Sequence, residues 1–323
     1  PLIGHSATGG VISDYTSSGI IYRSHTFTST GTFDVAQVGS LQNDVEVVLI
    51  AGGGGGGIDA GGGGGAGAFY PNTSVPISVS PYPITIGGGG RGADVPGTAG
   101  VTGSNTVAFG YTVKGGGGGG SAAPSNTNTP GGSSADPLGG SGGGGRRGST
   151  AGSGGTYGND GYAGTSPTGG GGGGGAGGAA PSSPAFLGGA GISNSIETGS
   201  AIIYAGGGSG GNEQTGTNRN PAAPGGGGDG GGKDSPLSQI GRGGDATAGL
   251  GAGGGGGGGN PEPRAGGNGG SGRVIIRYKI GEIQSPGVSP KGATGGAISI
   301  YNSKVIHTFL NTCLLYTSDA ADD

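Results

Sequence analysis

Runs of glycine limit the fold of this chain more than any other feature. They occupy 52–57, 61–65, 87–90, 115–120, 139–145, 169–175, 206–211, 225–232, 253–259 and 266–270, some interrupted by one Ser, Asp or Asn. A glycine run has no side chain to bury, and ordering each residue costs roughly 1–2 kcal/mol of backbone entropy. With 96 glycines among 323 residues and aromatics at 5%, side-chain burial cannot offset that cost alone. A flexible linker needs a single such run, whereas these recur at similar length with other segments between them. The net charge of -4 and the lack of charge runs provide little of the self-repulsion that holds disordered chains open.

The conformation open to a glycine run is the extended left-handed polyproline-type helix, with three residues per turn, about 3.1 Å rise and no internal hydrogen bonds. Its amides and carbonyls need partners outside the helix. Each such bond contributes about 0.5–1.5 kcal/mol net, so one helix is unstable alone while many packed side by side support one another. The runs lack a strict Gly-X-Y period, which argues against a collagen triple helix.

Short β-branched stretches between the runs read as strands: Gly19 to Thr28, Thr32 to Ala36, Val45 to Ala51, Val75 to Val79, Tyr82 to Ile86, Thr106 to Val113, Ala201 to Ala205 and Arg273 to Lys279. Pro76 and Pro83 push two of them toward sheet edges or turns. No window gives a helical period. The expected fold is therefore mainly β plus non-regular, a β-strand base carrying packed polyglycine II helices as a glycine-rich sandwich, without significant α-helix.

Internal similarity sets the organisation. Ala7-Thr-Gly-Gly-Val-Ile-Ser-Asp-Tyr15 is echoed by Ala293-Thr-Gly-Gly-Ala-Ile-Ser-Ile-Tyr301, and His25-Thr-Phe27 by His307-Thr-Phe309. This reads as one complete unit and the opening of another, in a tandem array. The expected divisions are a linker over 1–6 and a module over 7–279, with a β-rich opening (7–51), glycine tracts with loops and strands (52–272) and a closing strand (273–279). A linker over 280–292 and the start of a second module over 293–312 follow. Residues 313–323 resemble the translation of a transposon-end sequencing adaptor and are set aside. Doing so removes the only cysteine with Asp319, Asp322 and Asp323, leaving a nearly neutral segment.

Catalytic and cofactor chemistry finds no foothold. A cysteine-free segment has neither disulfides nor thiolate sites. Gly-x-Gly-x-x-Gly matches are frequent by chance, and none lies between a strand and a helix. Gly232-Lys233 is followed by Asp234 where a phosphate loop needs Ser or Thr. His25 and His307 read as structural or solvated residues, and His5 shows no partner. The tracts around Asp229 and Asn268 lack the aspartate of a calcium-binding β-roll. Gly241-Arg-Gly-Gly244 is isolated, and near-neutrality offers phosphates little attraction, so no nucleic-acid partner is expected. No apolar run approaches the roughly 20 residues that span a bilayer, so no membrane insertion is expected either. The expectation is a non-enzyme with no cofactor and no metal site.

VEVVLIAGGGGGG (Val45 to Gly57), GGGGGAGAFY (Gly61 to Tyr70), YPITIGGGG (Tyr82 to Gly90) and GGNGGSGRVIIRY (Gly266 to Tyr278), preceded by HTFTSTGTF (His25 to Phe33), resemble the glycine-rich domain of phage tail and virion proteins. The resemblance covers roughly residues 7 to 279. It implies a sandwich of glycine-rich helices whose loops recognise host surface molecules, so the expected partners are a host cell-surface glycan or outer-surface protein and other fibre subunits, and the expected location is the virion. The second module start after Lys279 is a departure that fits a shaft or array component.

The non-glycine segments Ser121 to Leu138, Arg146 to Thr168, Ala176 to Ser200, Asn212 to Pro224, Lys233 to Arg242 and Asn260 to Ala265 read as presented loops. Arg146, Arg147, Tyr157, Asp160, Tyr162, Arg219 and Arg264 are the candidate receptor-contacting residues, set against ordinary turn chemistry for the same positions. A secreted or wall-associated glycine-rich structural protein, at an extracellular or cell-surface location, and a disordered glycine-rich spacer remain the alternatives at this level.

Overall fold

The computed structural model describes residues 3–121, 136–165, 169–213, 220–232, 241–259 and 262–282, together with strands within 293–317. Among them there are strands and extended segments but no α-helix. An antiparallel five-stranded sheet forms the base. Its order is β2 (Val11–Ser17), β3 (Ile20–Phe27), β12 (Arg273–Glu282), β5 (Asp44–Ile50) and β6 (Phe69–Pro76). A second sheet joins β1 (Ser6–Thr8), β4 (Gly31–Gln37) and β7 (Ser80–Ile84). Two small hairpins follow within residues 3–282: β8 (Thr106–Ala108) with β9 (Tyr111–Val113), and β10 (Ile192–Asn194) with β11 (Ile202–Tyr204).

The apolar run Val47 to Ile50 of β5 follows from burial on both faces. Val45, Val47 and Leu49 enter a core between the two sheets, with Phe33, Val35, Ile84, Val274 and Ile276. Val48 and Ile50 point the other way, into a cluster with Phe69, Tyr204 and Ile275. Each such side chain contributes about 1.5–3 kcal/mol when fully buried. Pro76 and Pro83 lie in β6 and β7, both edge strands, as the missing ladder donor requires.

Several strands differ from the sequence reading. Thr106 to Val113 is a hairpin, because Phe109 (φ 52°) and Gly110 (φ 79°) both take left-handed turn conformations. The strand expected at Val75 to Val79 starts at Phe69 and ends at Pro76. The strand expected at Ala201 to Ala205 stops at Tyr204, since Ala205 has φ 55°. His5 does have partners: Nδ1 accepts from Gly39 N–H at 2.9 Å and Nε2 donates to the Asp44 carbonyl at 3.0 Å.

The glycine runs pack into a lattice built on main-chain hydrogen bonds. In tract 52–57, Gly52 and Gly55 donate to Ser104 and Val101, Gly53 and Gly56 to Gly270 and Gly267, and Gly54 and Gly57 to Gly65 and Gly62, all at 2.8–3.1 Å. The partner tract repeats every third residue, which is the signature of three residues per turn. The carbonyls answer with the same period. Gly52 and Gly55 accept from Gly116 and Gly119, Gly53 and Gly56 from Gly90 and Ala93, and Gly54 and Gly57 from Gly254 and Gly257. Tract 52–57 thus has six neighbours and satisfies its main chain entirely through them. Tracts 61–67 and 253–258 are bonded in the same way on all sides.

Such packing leaves no space for side chains in the interior. A Cβ on Gly52, Gly53, Gly54, Gly55, Gly56 or Gly57 would overlap a main-chain carbonyl of a neighbouring tract. Tracts at the lattice border meet fewer neighbours, and there glycine is needed only on the inward side. Glycine recurs at 152, 155, 158, 161 and 164, and a Cβ on Gly158, Gly161 or Gly164 would overlap the main chain at Gly140, Gly143 or Arg146. Part of the segment Arg146 to Thr168, expected as a loop, is therefore two border helices of the lattice. Gly152 and Gly155 donate to Gly143 and Gly140, while Gly142 and Gly145 donate to Asn159 and Tyr162.

Buried hydroxyls close the lattice where a glycine partner is missing. Thr106 Oγ1 accepts from Gly87 N–H and donates to the Ile50 carbonyl, both at 2.9 Å. Ser209 Oγ accepts from Gly188 N–H at 3.1 Å and donates to the Pro221 carbonyl at 2.6 Å.

Further along the chain, β13 (Ala293–Thr294), β14 (Ala297–Tyr301), β15 (Lys304–Thr308) and β16 (Tyr316–Thr317) pair as β13–β16 and β14–β15. The β14–β15 register sets Ile298 opposite His307, as β2–β3 sets Ile12 opposite His25. Tyr301↔Lys304 lies at the level of Tyr15↔Tyr22.

Candidate functional site

One end of the lattice merges with the sheets, and the opposite end carries turns. Tract 52–57 leaves β5, turns at Ile58, Asp59 and Ala60, and returns as 61–67 to β6. Asp59 (φ 60°) and Ala60 (φ 50°) are both left-handed, which makes this reversal tight. Ile58 is buried beneath the turn, and its N–H donates to Ser121 Oγ at 2.9 Å. The described residues flanking the stretches 166–168, 214–219, 233–240 and 260–261 lie at this same end, through lattice bonds of Gly170 to Gly211, Asn212 to Gly231 and Gly258 to Gly241.

Charge gathers on this remote face. Arg146 reaches Asp59 with Nη2 3.4 Å from Oδ2 and is 8% exposed. Arg147 pairs with Glu213. The Arg264 carbonyl accepts from Asp59 N–H at 3.4 Å, which brings a third candidate arginine beside the same turn. Arg146 and Arg147 thus anchor neighbouring turns to one another and seal the lattice end.

The other candidates separate. Tyr157 is at the sheet end, edge-on to Tyr70 at 5.0 Å and packed on the inter-sheet core. Asp160 is exposed on a border helix, its Oδ1 accepting from Gly154 N–H at 2.7 Å, and Tyr162 is half-buried on the same helix. Arg219 lies outside the described residues. Sequence reasoning missed Asp59 and Glu213, the partners of Arg146 and Arg147. The available signal was Ile58-Asp-Ala60 as the sole break between two glycine runs.

The base holds a second polar assembly. Glu197 receives Arg273 Nη1 on both carboxylate oxygens, at 2.6 and 2.8 Å, and Tyr204 O–H at 2.6 Å. Burial and then the Glu197 carboxylate raise the Tyr204 pKa strongly. His25 is fully buried. Its Nδ1 donates to the Gly9 carbonyl at 2.7 Å, which leaves Nε2 to accept from Tyr278 O–H at 3.0 Å. Burial lowers the His25 pKa and pushes that of Tyr278 up to about 12.

A cleft of about 130 Å³ on the outer face of the five-stranded sheet is lined by Glu46, Asn72, Thr73, Asn194, Ser195 and Arg277 among others. It has room for about four waters, well short of an ordinary ligand pocket. No group of three or more His, Cys, Asp or Glu side chains comes together among the described residues. No helix among them is long and apolar enough to cross a membrane.

The glycine-rich domain family matches residues 28–279, from just after β3 through the lattice and into β12. The chain belongs to this family. No curated protein matches it. The matched span of the glycine-rich domain contains the whole lattice and its return to the base sheet, while β1, β2 and β3 lie before it.

Proposed function

We propose that this glycine-rich domain is a non-catalytic structural and adhesive module of a phage tail fibre or similar virion appendage. Its task in this reading is to hold a recognition face away from the β base on a stiff support. The observation that carries the proposal is the separation of the two ends. A lattice whose interior tracts each have six bonded neighbours stands between the base and the end where Asp59, Arg146, Arg147, Glu213 and Arg264 meet.

Loops held by a rigid scaffold are common binding elements. The sequence between tracts is rich in Ser, Thr, Asn and Pro, and Asp160 and Tyr162 lie on the adjoining border helix. The partner proposed is a surface glycan or outer-surface protein of a host cell, with other fibre subunits at the base. A secreted or wall-associated structural role is the second reading, favoured by the same lattice without its remote face.

Fluorescently labelled chain applied to arrays of purified bacterial surface polysaccharides and to intact cells tests this function. Saturable binding that Arg219→Ala or Tyr162→Ala weakens at least several-fold, with stability unchanged, supports it. Absence of binding, or binding indifferent to every change on the remote face, contradicts it.

A further inference from the structure

The start and the finish of the first unit lie side by side. Gly4 packs against the main chain of Lys279 and Ile280 so closely that a Cβ would come within 2.8 Å of the Lys279 carbonyl oxygen. Ile3 is held there by its carbonyl, which accepts from Ser40 and Leu41 N–H at 2.8 and 3.1 Å. β12 starts at Arg273, where the lattice ends, and runs away from it to Glu282, which pairs with Ile20 at the tip of the β2–β3 hairpin. Both chain crossings are therefore at the end of the base farthest from the lattice.

Length decides where a following copy can sit. Residues 283–292 join Glu282 to Ala293, the equivalent of Ala7, and a fully extended link of this size spans at most about 40 Å. To reach the remote face it would have to retrace β12, about 33 Å, and the tract 266–272, about 20 Å more. The next copy cannot be threaded onto the remote face. Instead β14, the equivalent of β2, approaches β12 of the first unit.

We infer that successive copies of this module join base to base, each glycine lattice hanging from the array as a pendant with its remote face free. The contact surface is the outer end of β12, and its partner is the first hairpin of a second copy of the same module. Exposure on β2 fits this arrangement: Val11 is 71% and Ile12 46% exposed on an edge strand, the position that β14 occupies in the following copy. The inference rests on the internal repeat and is independent of what the remote face binds.

The test uses the full chain with Cys313→Ser and pairs of introduced cysteines carrying spin labels. Ser299→Cys on β14 is combined with Thr16→Cys at the base hairpin or with Val95→Cys, an exposed turn residue on the lattice. Dipolar distances from Ser299→Cys that are narrow and shorter to Thr16→Cys than to Val95→Cys are expected. A shorter distance to Val95→Cys overturns the base-to-base order, and broad distributions in both pairs overturn the docking of β14. Neither outcome alters glycan binding, so the two proposals fail separately.

Discussion

A methyl group on Gly53 would overlap the main-chain carbonyl oxygen of Ala252, which belongs to the neighbouring tract that receives the next turn of the same helix. Gly56 stands in the same relation to Gly255, one turn on. Lattice interiors therefore select glycine by the closeness of main chains. A border position is different: Gly88 is exposed, and a Cβ there meets nothing within 4 Å.

Gly53→Ala and Gly56→Ala are each expected to destabilise the fold by about 1–3 kcal/mol or more, since main chain rather than a flexible side chain must shift. Gly88→Ala is expected to be neutral or to stabilise by about 0.4–1 kcal/mol, by reducing the freedom of the unfolded chain. Urea unfolding of the three variants makes the comparison. Equal effects at Gly53 and Gly88 would contradict the lattice.

His25 gives the base a pH dependence of defined sign. Burial, the largest influence, lowers its folded pKa below the ordinary 6.5, against a smaller opposing effect of the Gly9 carbonyl. The unfolded chain therefore binds the proton first as pH falls. The stability associated with neutral His25 is full above about pH 6.5 and declines below it, levelling once the folded pKa is passed. Unfolding free energies of parent and His25→Gln between pH 4 and 8 should diverge with pH, the parent losing more on acidification. Parallel curves would remove His25 as the cause.

Glu197 holds the 195–200 turn over the sheet by accepting from Arg273 and Tyr204, and its carbonyl also accepts from Ser24 Oγ at 2.7 Å. The Glu197 and Arg273 side chains are 15% and 16% exposed. Glu197→Ala leaves a mostly buried guanidinium without its carboxylate, and a loss of about 3–5 kcal/mol is expected. Thermal unfolding of Glu197→Ala beside the double variant Glu197→Ala/Arg273→Met checks this. The double variant should recover part of the loss, because it removes the stranded charge.

The central strands were readable because their residues report burial directly: an apolar run such as Val47 to Ala51 has only one use in a chain this poor in hydrophobic residues. Pro76 and Pro83 likewise marked edge strands through chemistry local to each residue. The lattice was readable in outline from the glycine runs. Its border was not, because the helices carrying Gly152, Gly155, Gly158, Gly161 and Gly164 resemble polar loops until their third-residue period is matched to an inward face. The pairings of Arg146 with Asp59 and of Arg147 with Glu213 join residues far apart in the chain, and no local pattern encodes them. Tyr157 shows the same limit, because its place beside Tyr70 follows from where a border helix ends.

Amide hydrogen exchange, resolved for the glycine tracts separately from the turns, tests the packed lattice most directly. Amides of 52–57, 61–67 and 253–258 are expected to exchange together, at the slow rate set by global unfolding, while those of the exposed turn at Asp94 and Val95 exchange fast. Exchange of those three tracts at unstructured rates would contradict the six-neighbour lattice and leave a flexible glycine-rich spacer in its place.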